Sequence, residues 1–256
     1  MNRLQEQRYE LKYWVDAKVA PLVREFVLQY LQLDPFGVGK PENSYPVHSI
    51  YLDSERLDTY WHTINGNKNR YKLRIRYYDD QPNTPAFFEI KRRANDVILK
   101  DRGGVKKSSV PRLLEGHHVE PEDLLNPAST SDLLAVQHFQ ELMFGLDARP
   151  MLHVGYDREA FEHDLDSSAR VTMDRNVITG PVRSPDLVVK TRDPHCFFGT
   201  TVILELKFTS RFPLWFQELV QRFDCVRTGA AKYTSGIEVR GEDWGRGRRE
   251  PPLAFD

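Results

Sequence analysis

Apolar and polar residues alternate along YKLRIRYY (71–78), so an extended chain puts Tyr71, Leu73, Ile75 and Tyr77 on one face and Lys72, Arg74 and Arg76 on the other. The same period of two runs through RYELKYWV, where Arg8, Glu10, Lys12 and Trp14 oppose Tyr9, Leu11, Tyr13 and Val15. It returns in FFEIKRR (Glu89, Lys91 and Arg93 against Phe88 and Ile90) and in VILELKF (Glu205 and Lys207 against Val202, Leu204, Leu206 and Phe208). In ARVTMDR, Arg170, Thr172 and Asp174 oppose Val171 and Met173. Strands are predicted at 7–15, 45–53, 70–79, 86–93, 97–103, 150–161, 169–176, 186–191 and 201–209. A period near 3.6 predicts helices at 16–34, 54–64, 131–146 and 213–224, the first capped by Asp16 and the last starting at Pro213. In the first, Val19, Leu22, Val23, Phe26, Val27 and Tyr30 form the apolar stripe. Stretches 79–85 and 179–186 read as turns, 115–130 as a connection between lobes, and 241–256 as a poorly ordered tail.

The charged strand faces share one design. E-x-K occurs at Glu10 and Lys12, Glu89 and Lys91, and Glu205 and Lys207, beside the run Lys72, Arg74, Arg76. Charged faces turned to bulk water predict mixed signs with Thr, Gln, Ser and Asn scattered among them. The regularity predicts instead that the faces converge inside a closed barrel, its apolar exterior covered by helices, an α+β arrangement. Burying unpaired like charges costs several kcal/mol per ion, so such an interior needs water, counter-ions or a polyanion. A phosphate chain fits, because Arg pairs with phosphate oxygens in bidentate fashion and Lys supplies a compact charge. The carboxylates then suit Mg²⁺ or Mn²⁺, which bridge one or two protein carboxylates to substrate phosphates.

Composition narrows the picture further. The 256 residues carry a formal net charge of -1, which argues against a general nucleic-acid or membrane binder and makes any basic site local. No apolar run reaches the length of a membrane span and the start lacks the apolar core of a signal peptide, so a cytoplasmic location is expected. Cys196 and Cys225 give neither a disulfide framework nor a zinc spacing. There is no Ser, His and Asp constellation and no phosphate-binding G-x-x-x-x-G-K-[ST] loop. Adjacent His117 and His118 have no partner at metal spacing, and Arg92, Arg93, Lys106 and Lys107 form a candidate entrance patch for polyanions.

Taken in order, several motifs resemble one family. They are Glu10, Lys12 and Tyr13; Tyr45, Ser49, Tyr51 and Asp53; Lys72, Arg74, Arg76 and Tyr77; Glu89 and Lys91; V-I-L-K-D-R (97–102); Tyr156 and Arg158; R-V-T-M-D-R (170–175); L-E-L-K-F (204–208); and A-K-Y (231–233). Together they resemble the polyphosphate polymerase domain of the vacuolar transporter chaperone family, among the triphosphate tunnel metalloenzymes, over about residues 8 to 235.

The resemblance implies an antiparallel eight-stranded β-barrel tunnel, flanked by helices, formed by a single domain over 1–240. It implies transfer of the γ-phosphate of ATP to a growing polyphosphate chain. Lys12, Arg74, Arg76, Lys91, Lys100, Arg158, Arg170 and Lys232 fall on the phosphate-contacting positions, and Lys72, Lys207 and Arg102 join them as ligand-binding candidates. Glu205 falls on the position that binds Mn²⁺ or Mg²⁺; Glu10 and Glu89 are further metal candidates that would otherwise pair with Lys or Arg. The implied partners are ATP and inorganic polyphosphate or triphosphate, with no nucleic acid. Eukaryotic members carry a sensor domain and membrane helices that these residues lack, so a membrane-protein partner outside this chain is also expected. Water in place of a phosphate acceptor would make the same tunnel a triphosphatase, and loss of turnover would leave a binding module.

Overall fold

The computed structural model describes residues 8–241 apart from 96, 164–167, 183–185, 192, 210 and 230, so the tail from 242 onward lies outside the described residues. Among the described residues there are eleven strands: β1 (Arg8–Asp16), β2 (Gln32–Leu33), β3 (Tyr45–Asp53), β4 (Asn69–Tyr77), β5 (Pro85–Ala94), β6 (Val97–Lys106), β7 (Arg149–Glu162), β8 (Ala169–Pro181), β9 (His195–Cys196), β10 (Thr201–Thr209) and β11 (Val226–Arg227). Six α-helices accompany them: α1 (Ala20–Val27), α2 (Asp58–Ile64), α3 (Val110–Leu114), α4 (Thr130–Gly145), α5 (Leu214–Arg222) and α6 (Lys232–Arg240).

All the strands join one sheet, whose long members run in the order β1, β10, β8, β7, β3, β4, β5, β6 with every neighbour antiparallel. The α+β class and the eight alternating strands are therefore present, but the expected closed barrel is not: among the described residues no ladder joins β6 to β1. The outer edge of β1 is taken by β11, which pairs Val226 with Trp14 and Arg227 with Tyr13. The sheet nevertheless curls until its ends approach. Cα atoms of β1 and β6 come within 8 Å, and Lys91 on β5 reaches Glu10 on β1. Register shifts at Tyr51/Leu52 and Gly155/Asp157 mark irregularities of the kind that sharpen strand bending.

Helices cover the convex face. α1 and α5 bury Val23, Phe26, Phe216 and Leu219 against Val171, Met173, Leu204 and Leu206. α3 and α4 bury Leu113, Val136 and Phe139 against Leu73, Ile75, Phe88 and Ile90. α4 is capped by Ser129, whose hydroxyl accepts from the N–H of Asp132 at 3.2 Å. Gly103 lets that helix lie close to β6, because a Cβ there would stand 2.5 Å from Val136 Cγ2 and 2.6 Å from the Asp132 carbonyl oxygen.

Several boundaries depart from the sequence pattern. The helix expected over 16–34 is confined to α1, with Pro21 in its first turn and turns following Val27. Its stripe is only partly buried: Leu22 and Tyr30 are exposed. No strand forms at 186–191 among the described residues; β8 instead pairs with β9. α3 and α6 have no counterpart in the periodicity.

A third apolar cluster lies toward one end of the concave face, where Tyr51, Tyr156, Leu152 and Ile203 meet α2 and α6 through Tyr60, Tyr233 and Ile237. Thus the concave face is closed at one end by packed aromatics and a helix, while the charged residues occupy what remains.

Candidate active site

Antiparallel register brings the motifs together. In the β1/β10 pair Glu10 stands opposite Lys207 and Lys12 opposite Glu205, so two E-x-K motifs running in opposite directions match each charge with its complement. The third E-x-K meets the Lys72 run, Arg74 facing Glu89 and Lys72 facing Lys91. β6 then sets Arg102 opposite Glu89 and Lys100 opposite Lys91. β8 sets Arg170 beside Lys207 and Thr172 beside Glu205.

These side chains line a cavity of about 990 Å³. All eleven predicted basic residues, Lys12, Lys72, Arg74, Arg76, Lys91, Lys100, Arg102, Arg158, Arg170, Lys207 and Lys232, are on its wall, as are Glu10 and Glu205. Glu89 stands behind the wall, fully buried.

Carboxylates organise the cations into groups. Glu205 has Lys207 at 2.8 Å, Lys12 at 3.1 Å, Lys232 and Arg158 at 3.4 Å, and the Thr172 hydroxyl donating at 3.3 Å. Burial pushes its pKa up, but Lys12, Lys207, Lys232 and Arg158 together hold it well below the usual carboxylate range. Glu89 accepts from Arg74 at 2.7 Å and has Lys100 at 2.6 Å, with Arg76 and Arg102 both at 3.6 Å. There too burial is outweighed, by Arg74, Arg76 and Lys100, and the carboxyl stays ionised. Glu10 lies 3.1 Å from Lys91 and 3.3 Å from Lys12, bridging the seam between the sheet's ends. Arg170 pairs with Asp34 at 2.7 Å and Glu162 at 2.9 Å.

One member of the site was not singled out from the sequence. Asp174, wholly buried, accepts two bonds from Arg158 at 2.7 and 2.8 Å and one from Lys232 at 2.6 Å. Its position on the same alternating face as Arg170 and Thr172 was the available signal. Tyr156, in the sequence no more than a member of the motif with Arg158, has its ring under Lys232 at 4.7 Å and Arg158 at 5.2 Å.

Neutralisation is incomplete. Arg76 is buried, and among the described residues its Nε finds no hydrogen-bond partner. Lys72 has no carboxylate within ion-pair distance among the described residues; it sits over the Tyr233 ring at 5.5 Å. Burial, with Lys12, Lys91 and Arg70 repelling it, pulls its pKa down to about 7. Burial also brings Lys207 down to about 8, although Glu205 opposes the shift. Fifteen Lys and Arg side chains line this one cavity, the eleven predicted together with Arg70, Arg92, Arg93 and Arg227, and they are arranged to accept an anion with several oxygens.

The suggested entrance patch divides. Arg92 and Arg93 line the cavity. Lys107 is instead buried under the β4–β5 turn, donating to the Asp79 and Gln81 carbonyls at 2.6 and 2.9 Å, and Lys106 donates to the Glu122 carbonyl at 2.8 Å. Among the described residues no three His, Cys, Asp or Glu side chains are grouped to hold a metal, and no helix is long and apolar enough to cross a membrane.

Fold and site together define an α+β protein whose curled antiparallel sheet encloses a densely cationic cavity. The VTC domain profile matches residues 7–240, and the chain belongs to that family. Vacuolar transporter chaperone complex subunit 2 of Schizosaccharomyces pombe is 22% identical over 95% of this chain and 39% of its own length. Subunit 4 of the same complex and organism is 23% identical over 66% of this chain and 26% of its own. The chain thus spans well under half of either relative. Among solved structures, the PH1819 protein from Pyrococcus horikoshii OT3 overlays at a TM-score of 0.36 with 13% identity, over 84% of this chain and 86% of that one, a likeness that carries no argument.

Proposed function

We propose that the chain is a polyphosphate polymerase that moves the γ-phosphate of ATP onto the end of a growing polyphosphate chain held in the cationic cavity. The observation that carries this reading is the convergence of the eleven predicted basic side chains on one cavity, with Lys72 left without a carboxylate at ion-pair distance among the described residues and Arg76 Nε without a hydrogen-bond partner. A phosphate chain supplies oxygens along its whole length, and the cations are distributed over β1, β4, β5, β6, β7, β8, β10 and α6 to meet it. The curled sheet would then work as a tunnel, its β1/β6 seam held by the Glu10–Lys91 pair and by the ligand.

Phosphoryl transfer needs alignment and charge neutralisation more than covalent work by the protein. Arg74, Arg76 and Arg158 would clamp the triphosphate. Lys12, Lys207 and Lys232 would neutralise oxygens near Glu205, and Arg170 would hold the chain farther along. The terminal phosphate oxygen of the acceptor attacks the γ-phosphorus, the bond to the bridging oxygen breaks, and ADP leaves with that oxygen.

Mn²⁺ or Mg²⁺ fits at Glu205, with Glu10 as second carboxylate, since the two share Lys12 and such ions take one or two carboxylates plus phosphates. When bound there, the ion would supply charge neutralisation on phosphate oxygens. Glu89 fits less well: it is fully buried behind the cavity wall, where Glu10 and Glu205 face the cavity, and this suits a role in holding Arg74 and Arg76. A cytosolic setting would supply ATP. The relatives are named as subunits of a complex, which supports a protein partner outside this chain.

The test is incubation of the purified protein with ATP and Mn²⁺ or Mg²⁺, following chain growth on a gel and released phosphate, with Glu205→Gln as control. Long chains that vanish in the variant are expected. Free phosphate without chains would make the protein a triphosphatase, and triphosphate binding without either product a binding module.

A further inference from the structure

Asp53 ends β3 and is wholly buried, and it is not part of the cavity wall. Its carboxylate nevertheless accepts five hydrogen bonds. Four come from the segment that follows it: the N–H groups of Ser54 and Thr59 at 2.9 Å, the Thr59 hydroxyl at 2.8 Å and the Tyr60 N–H at 3.0 Å. The fifth crosses the molecule, from the Tyr233 hydroxyl at 2.6 Å. A phenol donating to an ionised carboxylate makes one of the stronger hydrogen bonds available to a protein.

Tyr233 stands where several site residues meet. Lys232, its neighbour in the first turn of α6, reaches Asp174 at 2.6 Å and Glu205 at 3.4 Å. The Tyr233 ring stacks on Tyr51 at 4.9 Å, and the Tyr51 hydroxyl accepts from Arg74 at 3.3 Å. Lys72 lies over the other part of that system. α6 has nine residues, too few to hold its own conformation in water, and Ala231 at its start offers no side-chain cap. Tertiary contacts must therefore set its rotation, and a slip of one residue would turn Lys232 by about 100° away from both carboxylates. Gly236 makes the close approach possible, since a Cβ there would stand 2.7 Å from Leu152 Cδ2.

We infer that Asp53 and Tyr233 are positioning residues, whose hydrogen bond locks α6 so that Lys232 enters the phosphate site between Asp174 and Glu205. The inference rests on the polyphosphate reading for what Lys232 contacts, but the lock itself exists in the unliganded protein.

Two measurements separate these layers. Calorimetric titration with tripolyphosphate, on the full chain, compares Tyr233→Phe, Lys232→Ala and the double variant. Tyr233→Phe keeps the ring and its stacking but loses the donor, and is expected to weaken binding roughly tenfold. In the Lys232→Ala background the same change should cost less than about twofold, because its effect runs through Lys232. Additive losses would overturn the inference, since a merely structural role adds. In the unliganded protein, amides of α6 should exchange roughly tenfold faster in Tyr233→Phe while those of β7 and β8 do not change. Unchanged exchange in α6 overturns the lock. If the parent protein failed to bind tripolyphosphate, the functional reading would fall, and the exchange experiment alone would still decide the anchoring of α6.

Discussion

Replacing Glu89 by Gln keeps the shape of the side chain and removes its charge. The residue is fully buried, and four cations lie within 3.6 Å of it, all from β4 and β6, the two neighbours of β5: Arg74 and Arg76 on one side, Lys100 and Arg102 on the other. Removing one partner of a buried ion pair costs about 3–5 kcal/mol, because the remaining charge is left uncompensated. Lys100 and Arg102 are well over a third exposed and can turn toward water, so Arg74 and Arg76 carry most of that cost. For a chain of this size each kcal/mol moves the melting midpoint by about 2–4 °C, so the unliganded variant should melt roughly 10 °C lower. Tripolyphosphate supplies the missing negative charge. Its addition should therefore raise the midpoint of Glu89→Gln by more degrees than it raises that of the parent, in a thermal scan without divalent metal. An equal or smaller increment would refute the reasoning, and so would a variant that melts with the parent.

Two other outcomes follow from the same geometry. Lys72 and Lys207 have pKa values of about 7 and 8 in the fold against 10.5 in the open chain, so between about pH 7 and 10.5 the unfolded state binds more protons and unliganded stability gains a rising contribution with pH. Tripolyphosphate should restore those protons and that of Lys100, which burial also brings down to about 7, so calorimetry at pH 8 in two buffers of different ionisation enthalpy should read an uptake of about two protons per ligand; zero uptake would contradict the placement of these lysines. Gly103→Ala should lower stability by about 1–3 kcal/mol, by pushing α4 off β6, and leave tripolyphosphate affinity within twofold; an unchanged melting midpoint would show that the helix can shift freely.

The parts of this molecule that were legible in its sequence are those written in a period of two. Each E-x-K and the Lys72, Arg74, Arg76 run marks a strand with a charged face, and the structure gathers those faces on one cavity. What alternation cannot express is which strand lies beside which. The pairing of Arg158 with Asp174, and of both with Lys232, depends on β7 and β8 being neighbours and on α6 descending over them. Asp174 alone in a strand pattern looks like any solvated acid. α6 itself, KYTSGIEVR, carries Gly236 and β-branched residues and no clean apolar stripe, so local propensity argues against the helix that tertiary contacts impose.

The same distinction explains why a closed barrel was the wrong expectation and a curled sheet the right shape. Charge convergence requires only that the faces meet, and Glu10 reaching Lys91 shows that they do. Closure requires a free edge on β1, and that edge is decided by two residues, Val226 and Arg227, too few to register as a strand in any periodic reading. A sheet left open at a seam bordered by Glu10, Lys91 and Lys100 has a physical consequence that a closed barrel lacks. The seam is held by side-chain charges in place of backbone hydrogen bonds, so its opening should respond to ionic strength and to polyanions, while the seven ladders elsewhere between the long strands should not. Amide exchange in β1 and β6, compared at low and high salt, reads that difference directly. Faster exchange at high salt confined to these two strands is expected, and uniform exchange across the sheet would mean that the ion pair contributes nothing to holding the ends together.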